Sequence, residues 1–354
     1  MLRLLSTKRE ALERHRTVMA ALSLSALDLV PLVTGGTSSA ALRSSAELAQ
    51  ALDRLGYTRL WYAEHHNMPG IATTTPEILI AHVGGLTSRI RLGAGGVMLP
   101  NHAPLKVAES YRLLEALHPG RIDLGIGRAP GTDPVTALAL RRSSRASATD
   151  SFPEQLGELM AFDDGDFPPD HPFRAIRAMP DDVALPLLWL LGSSDYSAKL
   201  AGQLGVGFAF AAHFSPDPPE AAMRAYRQGF AGGGPLAKPH AILALSVFCA
   251  ETEEAATRMA SSMLLSFVQL RSGRPGRLPS PAEALAHSFS REEQSVVEFY
   301  RRLQIVGTPE QCRARIEEQV TRTNADEVMV VTHAFDPAER IRSYELLAQA
   351  FAIA

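Results

Sequence analysis

An acidic residue and two adjacent histidines, Glu64, His65 and His66, follow an apolar run that ends at Tyr62. The composition of that run favours a β-strand, and Pro69-Gly70 then favours a turn. Neighbouring residues on an extended chain point to opposite sides, so at most one of the two histidines faces a given substrate. A single imidazole at a pocket mouth suits proton transfer near neutral pH. A structural histidine pair is the alternative, and a metal site is disfavoured because adjacent histidines do not converge on one ion.

Glycines are concentrated near the ends of two consecutive predicted strands, as Gly95-Gly96 in one and as Gly125 and Gly127 in the next. Glycine weakens the interior of a strand, so such positions indicate a bend or the close approach of a ligand. Two neighbouring strands that lack side chains at these positions would leave a narrow cleft, with Arg128 at its edge. Relief of crowding in a closed sheet is the alternative explanation.

A third chemical feature is the turn Gly192-Ser193-Ser194-Asp195, which leads from an apolar strand directly into a helix that starts near Tyr196. The free N–H groups and the dipole of a helix N-terminus form a natural anion site. The serine hydroxyls and the guanidinium of Arg128 would add hydrogen bonds to a phosphate. The alternative is that Ser194 or Asp195 only caps the helix.

Eight short apolar runs, each followed by a helical pattern, must position these residues. Such alternation predicts an α/β protein with a parallel sheet, and eight units most simply close into a (β/α)8 TIM barrel, whose active site lies at the C-terminal ends of the strands. The predicted strands cover residues 22–30, 59–63, 90–98, 121–127, 185–191, 206–211, 241–249 and 327–332.

The chain of 354 residues is longer than a bare barrel of about 250, so we predict insertions. One follows strand 4, over Ser143–Asp182, and another lies in the strand 7–8 region, over Arg271–Arg302. Long excursions of this kind are either functional lids or exposed decorations. Residues 1–20 are predicted to be an N-terminal extension, and residues 21–354 a single barrel domain.

Composition and missing motifs exclude several classes. The formal net charge of −3 gives no electrostatic case for nucleic acid or an anionic membrane. Only two cysteines occur, and the first twenty residues lack a signal-peptide pattern, so we expect a cytoplasmic protein. The segment 125–131 misses the nicotinamide-binding glycine spacing by one residue, and there is neither a nucleophile elbow nor a Walker loop.

Four segments, in order along the chain, resemble the bacterial luciferase-like flavin-dependent monooxygenases: AEHHNMPGIA, RLGAGGVMLPNHAPLKVAES, LHPGRIDLGIGRAPGTDP and LLGSS. Each is weak alone, but together they are specific. The resemblance is densest between residues 23 and 142 and extends to the C-terminus. It implies a TIM barrel that binds reduced FMN at its mouth.

The resemblance also assigns roles to residues. His65 matches the histidine proposed as catalytic acid or base, and Gly95-Gly96 matches the site of a non-prolyl cis peptide under the flavin ring. Arg128, Ser193 and Ser197 match phosphate-binding positions, next to Gly192 in the same turn. Gly127 stands where the light-emitting luciferase subunit has a reactive cysteine, so light emission is not expected.

The activity implied is that of a two-component monooxygenase. Reduced FMN (FMNH2) would come from a separate flavin reductase and react with O2 to a peroxyflavin, which hydroxylates or epoxidises a small organic substrate. No metal is expected. An enzyme using the deazaflavin F420 and a non-catalytic flavin-binding barrel are the alternatives.

The resemblance to the natural-product tailoring subset implies a polyketide in antibiotic biosynthesis as substrate, with aldehydes and alkanes left open. Aromatic residues are more often core than pocket, but seven of them are candidates for an apolar pocket: Phe152, Phe162, Phe167, Phe208, Phe210, Phe248 and Tyr300.

Small residues in the second predicted helix, Ala81, Gly84 and Gly85, raise the question of assembly. A glycine inside a helix costs about 1 kcal/mol relative to alanine, and close packing would justify that cost. Members of the family that the chain resembles commonly dimerise through this region. We therefore predict a homodimer, with Gly84 at the interface.

Overall fold

The computed structural model describes residues 22–141 and 151–353. The predicted N-terminal extension, residues 1–20, and the beginning of the first predicted insertion lie outside the described residues. The strands are β1 Ser23–Asp28, β2 Arg59–Tyr62, β3 Arg91–Ala94, β4 Val97–Met98, β5 Ile122–Gly127, β6 Leu187–Gly192, β7 Gly207–Phe210, β8 Ala241–Cys249, β9 Gln304–Gly307 and β10 Glu327–Val331.

Eight of these strands form a closed parallel barrel in the order β10-β1-β2-β3-β5-β6-β7-β8, and β8 pairs with β10 to close it. Register places Ala26 beside both Leu60 and Val330. The predicted TIM barrel is therefore confirmed.

Helices surround the barrel, and proline opens many of them because its missing N–H is not needed in the first turn. Pro76 and Pro104 begin helices in this way. None of the described helices is both long and apolar enough to cross a bilayer. The helices are α1 Ser38–Arg54, α2 Pro76–Gly84, α3 Pro104–Leu117, α4 Pro134–Arg141, α5 Phe152–Asp164, α6 Asp195–Leu204, α7 Pro219–Gln228, α8 Glu253–Arg271, α9 Pro281–Ala286, α10 Arg291–Leu303, α11 Pro309–Thr323 and α12 Pro337–Phe351.

Local features explain why two of the predicted strands are divided or end early. The third, predicted over residues 90–98, is divided into β3 and β4 at Gly95-Gly96, whose peptide bond is cis, as the resemblance implied. The first ends at Asp28 because the carboxylate of Asp28 accepts the N–H of Val30 at 2.6 Å, and Val30 adopts a φ of 51°. A left-handed residue cannot continue a strand.

Strand β9 has no counterpart in the sequence prediction. It lies directly after the second predicted insertion and pairs in parallel with the C-terminal half of β8. Ser246 is opposite Gln304, and Cys249 is opposite Gly307. The four-residue run is too short to show alternation, and this explains why periodicity missed it.

The N-terminal end of the barrel is closed by buried ion pairs. The guanidinium of Arg59 lies 2.7 Å from both Asp123 and Glu327, and the two carboxylates are fully buried. Above these charges, Trp61 and Trp189 pack edge to face with their ring centroids 5.5 Å apart. Because these side chains fill the N-terminal end of the barrel, the C-terminal end is the one at which a ligand can enter.

The described part of the first insertion packs against the outside of the barrel. Arg112 of α3 donates to the carboxylate of Asp163 at 2.9 Å and to the carbonyl of Ala178 at 2.7 Å. The aromatic rings of Phe162 and Phe167 are also packed together here, 4.9 Å apart. This region therefore supports α3 from the side.

Gly84 was expected at a dimer interface, but it lies inside the chain's own packing. It is buried, and a Cβ at this residue would overlap the imidazole of His118 in the same chain. Packing within the chain therefore accounts for this glycine, whereas Ala81 and Gly85 are exposed.

Candidate active site

A cavity of about 480 Å³ opens at the C-terminal ends of the strands, and we call it the mouth cavity. Its volume lies within the range of small-molecule sites. Every predicted site residue lines it: His65, Gly95, Gly96, Arg128, Gly192, Ser193 and Ser197.

His65 follows β2 and reaches the mouth cavity as a neutral ring. Its Nδ1 lies 3.1 Å from the carbonyl oxygen of Gly131, and because a carbonyl only accepts, Nδ1 carries the proton. Burial lowers the pKa of His65 below its usual value, against the opposing effects of that hydrogen bond and of Glu64. The resting ring therefore has its lone pair on Nε2, where it accepts a proton.

His66 points to the other side of the chain, as the extended backbone requires. Its Nε2 lies 2.9 Å from Oε1 of Glu64, which is buried and also contacts Nε2 of His102 at 2.8 Å. The other carboxylate oxygen accepts the N–H of Met98 at 2.9 Å. Burial raises the pKa of Glu64, but these hydrogen bonds outweigh it and the net pKa is lowered. Glu64 thus ties the strand end that carries His65 to β4.

The strand glycines are explained mainly by crowding. A Cβ at Gly96 would lie 2.7 Å from the carbonyl oxygen of Gly125, and one at Gly95 would lie 2.7 Å from Leu27 Cδ1. At Gly127 the nearest atom is the flexible sulfur of Met98, at 2.8 Å. Barrel packing thus requires Gly96, and Gly95 and Gly96 still form part of the cavity wall.

The N-terminus of α6 lies at the mouth cavity without a side-chain cap. Ser194 occupies the cap position, yet its hydroxyl makes no capping hydrogen bond. The carboxylate of Asp195 lies 3.5 Å from Lys199 and is not part of the cavity wall. The backbone N–H groups of the first turn are therefore available to an anion.

Two neighbours complete this end of the cavity. A Cβ at Gly192 would lie 2.6 Å from the hydroxyl of Ser197, so the absence of a side chain lets Ser197 reach the wall. The guanidinium of Arg128 lies over the ring of Tyr196, 4.5 Å from its centroid. This cation–π contact holds a positive charge beside the helix N-terminus.

The inner wall of the mouth cavity is apolar. It is formed by barrel residues that belong to one buried cluster, among them Leu27, Trp61 and Met329. An apolar floor, a neutral imidazole and an anion site at one end fit a flat ring system that carries a phosphate, such as FMN. Among the described residues, no group of three or more His, Cys, Asp or Glu is placed to hold a metal ion.

His213 is a cavity residue that the sequence analysis missed. It follows β7, as His65 follows β2, and its position after a strand end was the available signal. Burial, with the nearby His333 and His65, lowers the pKa of His213 to about 3. Its Nδ1 is buried and has no partner among the described residues, so it can accept a hydrogen bond from a ligand.

Of the seven aromatic candidates for the pocket, only Phe210 lines the mouth cavity, where Phe214 joins it. The other six lie in the core away from the cavity wall: Phe152, Phe162, Phe167, Phe208, Phe248 and Tyr300.

Comparison with known proteins identifies the family. The model of the luciferase-like monooxygenases matches residues 26–327. A luciferase-like monooxygenase of Escherichia coli (strain K12) is 41% identical over 325 residues, which cover 92% of this chain and 96% of the relative. The chain belongs to the luciferase-like monooxygenase family.

Two further relatives resemble almost the whole chain. The N-acetyl-S-alkylcysteine monooxygenase of Bacillus subtilis (strain 168) is 35% identical, with 92% of this chain and 97% of the relative covered. The crystal structure of apo-MsnO8 is 38% identical with a TM-score of 0.83, and the match covers 95% of this chain and 99% of the other.

More distant structures share the fold alone. One is the oxygenating constituent of 3,6-diketocamphane monooxygenase from Pseudomonas putida in complex with FMN, with 20% identity and a TM-score of 0.70. Another is an F420-dependent secondary alcohol dehydrogenase, with 14% identity and a TM-score of 0.67. The same barrel thus carries either cofactor in different proteins.

Proposed function

We propose that the chain is the oxygenating component of a two-component monooxygenase. It binds reduced FMN in the mouth cavity and uses O2 to hydroxylate or epoxidise a small organic substrate. The observation that carries this proposal is the joint placement, in one cavity wall, of neutral His65, the apolar barrel floor, and Arg128 beside the uncapped start of α6.

In this proposal the phosphate lies at the start of α6. The N–H groups of the first turn, the hydroxyls of Ser193 and Ser197 and the guanidinium of Arg128 would hold it. Leu27, Trp61 and Met329 would lie against the ring and exclude water. Reduced flavin, when bound, supplies the reaction with oxygen.

In this proposal His65 accepts and donates a proton at Nε2. Because Nδ1–H is engaged by Gly131, the ring keeps one orientation and one tautomer. It first accepts a proton at Nε2 and can then return it to the reacting groups. The resting ring therefore acts first as a base. It can act as the acid that the sequence predicted only after Nε2 has taken up a proton.

The electrons must come from outside the chain. The sequence contains no nicotinamide-binding fingerprint, so a separate reductase would deliver FMNH2. FMN is preferred to F420 because the relatives with more than 30% identity include proteins named as monooxygenases.

The proposed substrate is a small organic molecule, and a polyketide of antibiotic biosynthesis remains the specific proposal. A 4-hydroxyprotoasukamycin monooxygenase of Streptomyces nodosus subsp. asukaensis supports it, at 27% identity over 318 residues. The N-acetyl-S-alkylcysteine monooxygenase favours a second candidate, a thioether.

A homodimer through α2 and α3 is also proposed. Large apolar side chains are exposed on these neighbouring helices, with Ile78 66% exposed and Leu117 64% exposed. Such residues are candidates for an interface between copies of the chain.

Anaerobic titration of the purified protein with reduced FMN, and in parallel with reduced F420, tests the cofactor. Saturable binding of reduced FMN at lower concentration than F420 is expected. A clear preference for F420 would replace the proposal with a deazaflavin oxidoreductase, and binding of neither would contradict a flavin function.

A further inference from the structure

A second cavity, of about 100 Å³, lies beside the mouth cavity, and we call it the side cavity. Its wall comes from the chain after β1 and after β2, from α8, from the segment that follows α8, and from His333 after β10. It is thus built at the same end of the barrel as the mouth cavity, and the second predicted insertion supplies part of its wall.

The lining of the side cavity is apolar and carries no charged side chain. Only Ser266 and His333 contribute polar side-chain atoms, and Met68 and Met263 contribute flexible thioethers. The volume is several times the 10–15 Å³ that one water needs, while a stable water needs two to four polar partners. An apolar group is therefore the occupant that this chemistry favours.

Leu29 lies at the border of the two cavities. It follows β1, is partly exposed, and lines both the mouth cavity and the side cavity. The side chain of Leu29 therefore borders both the proposed flavin site and the apolar space next to it. A leucine in this position can separate the two volumes or turn aside for a ligand that spans them.

The wall of the side cavity is held by backbone hydrogen bonds. Leu32 N–H donates to the carbonyl of Gly70 at 2.9 Å, and Leu278 N–H donates to the carbonyl of Leu32 at 2.8 Å. A Cβ at Gly70 would lie 2.5 Å from the carbonyl oxygen of Gly276, so the loop after β2 touches the segment after α8 directly. Such a preformed space binds a ligand at little ordering cost.

We propose that the side cavity binds the uncharged apolar substituent of the substrate, an alkyl chain or small ring, while the reacting end lies in the mouth cavity, and that Leu29 limits the length of that substituent. This inference rests on the proposed function, because it assumes that the mouth cavity holds the reacting groups.

Calorimetric binding of n-alcohols from butanol to decanol, with and without FMN, tests the side cavity. Each methylene moved from water into an apolar site strengthens binding about fourfold. In the native chain, affinity should rise along the series and then level off. In Leu29→Ala the rise should continue to longer alcohols, and the longest ones should bind about tenfold more tightly than they bind to the native chain. In Ser266→Phe, whose side chain fills the side cavity, the rise should stop at a shorter alcohol.

Thr257→Trp is the matched control, because Thr257 lies on the exposed face of the same helix. It should leave every affinity unchanged. If the phenylalanine variant does not fold, Ser266→Leu adds less volume and carries the same expectation.

Equal affinities in the native chain and the Ser266 variants, or no saturable alcohol binding at all, would overturn the proposal. Binding that depends on Ser266 in a protein that binds no flavin would support the side cavity and refute the flavin function.

Discussion

His65 donates its Nδ1–H to the carbonyl of Gly131 at 3.1 Å, so the loop after β5 sets the tautomer of an imidazole that follows β2. The hydrogen bond therefore fixes the orientation and the tautomer of the ring, while burial lowers its pKa.

Replacement of His65 should separate binding from chemistry. In His65→Ala the dissociation constant of reduced FMN should change less than twofold, while turnover should fall by about 100-fold because the proton acceptor is lost. Steady-state oxygenation with a supplied flavin reductase measures the effect. His82→Ala is the control, since His82 is exposed on α2 and is not part of the cavity wall; equal turnover in His65→Ala and the native protein would remove His65 from the mechanism.

Arg128→Ala should weaken FMN more than riboflavin. A hydrogen bond to a charged group is worth about 1.5 kcal/mol or more, so the affinity for FMN should fall about tenfold or more. Riboflavin lacks the phosphate and should be affected less in fluorescence titrations. Lys199→Met removes a positive charge from α6, the helix at whose start the phosphate is proposed to lie, without touching the cavity wall, and should change neither affinity. Equal losses for the two flavins would contradict the role of Arg128.

Two glycines in the cavity wall should differ in their tolerance of alanine. Gly96→Ala brings a Cβ against the backbone of Gly125, and overpacking of this kind costs about 1–3 kcal/mol. Gly127→Ala meets only the flexible end of Met98 and should cost less. Chemical denaturation measures both free energies of unfolding. A Gly127 variant less stable than the Gly96 variant would show that the crowding argument is wrong.

Charge on the exposed face of α2 and α3 should separate the proposed dimer. Ile78→Glu combined with Leu117→Glu should give monomers by light scattering, because a buried unpaired carboxylate opposes association. Leu285→Glu, at a residue that is 63% exposed on α9, is the control. Gly84→Leu should instead destabilise the fold through His118. A dimer that survives both glutamates would place the interface elsewhere.

His333 should make the protein less stable in acid. Burial, with the nearby charge of Arg340, lowers its pKa to about 4 from the usual 6.5. The unfolded chain therefore binds the proton first, and stability is lost as the pH falls from 6.5 towards 4. At pH 5 this loss amounts to about 2 kcal/mol for one histidine.

His333→Phe should therefore flatten the dependence of unfolding free energy on pH between 6.5 and 5. The slope should be reduced and not abolished, because the pKa values of His65 and His213 are lowered as well. His82→Phe, at an exposed residue of α2, should keep the native slope. An unchanged slope in the His333 variant would contradict the assignment.

The barrel and the cavity wall could be predicted because their signals are local. Apolar runs followed by helical patterns identify the eight barrel strands, and His65 and Arg128 stand at strand ends that a parallel barrel brings to one face. His213 was missed because no motif surrounds it, although it also follows a strand.

The remaining differences depend on contacts between distant parts of the chain. The sequence suggested an interface at Gly84 because it does not show that His118 fills the space beside this glycine. Strand β9 is defined by its pairing with β8 and not by its own four residues. The side cavity likewise needs the segment after α8 to meet the loop after β2.

Rapid mixing of the anaerobic complex of the protein and reduced FMN with oxygenated buffer, followed by flavin absorbance, tests the central claim most directly. We expect a transient spectrum that differs from both reduced and oxidised flavin, lives longer than in free solution, and is altered in His65→Ala. Direct return to oxidised FMN at the rate of the free flavin would contradict it.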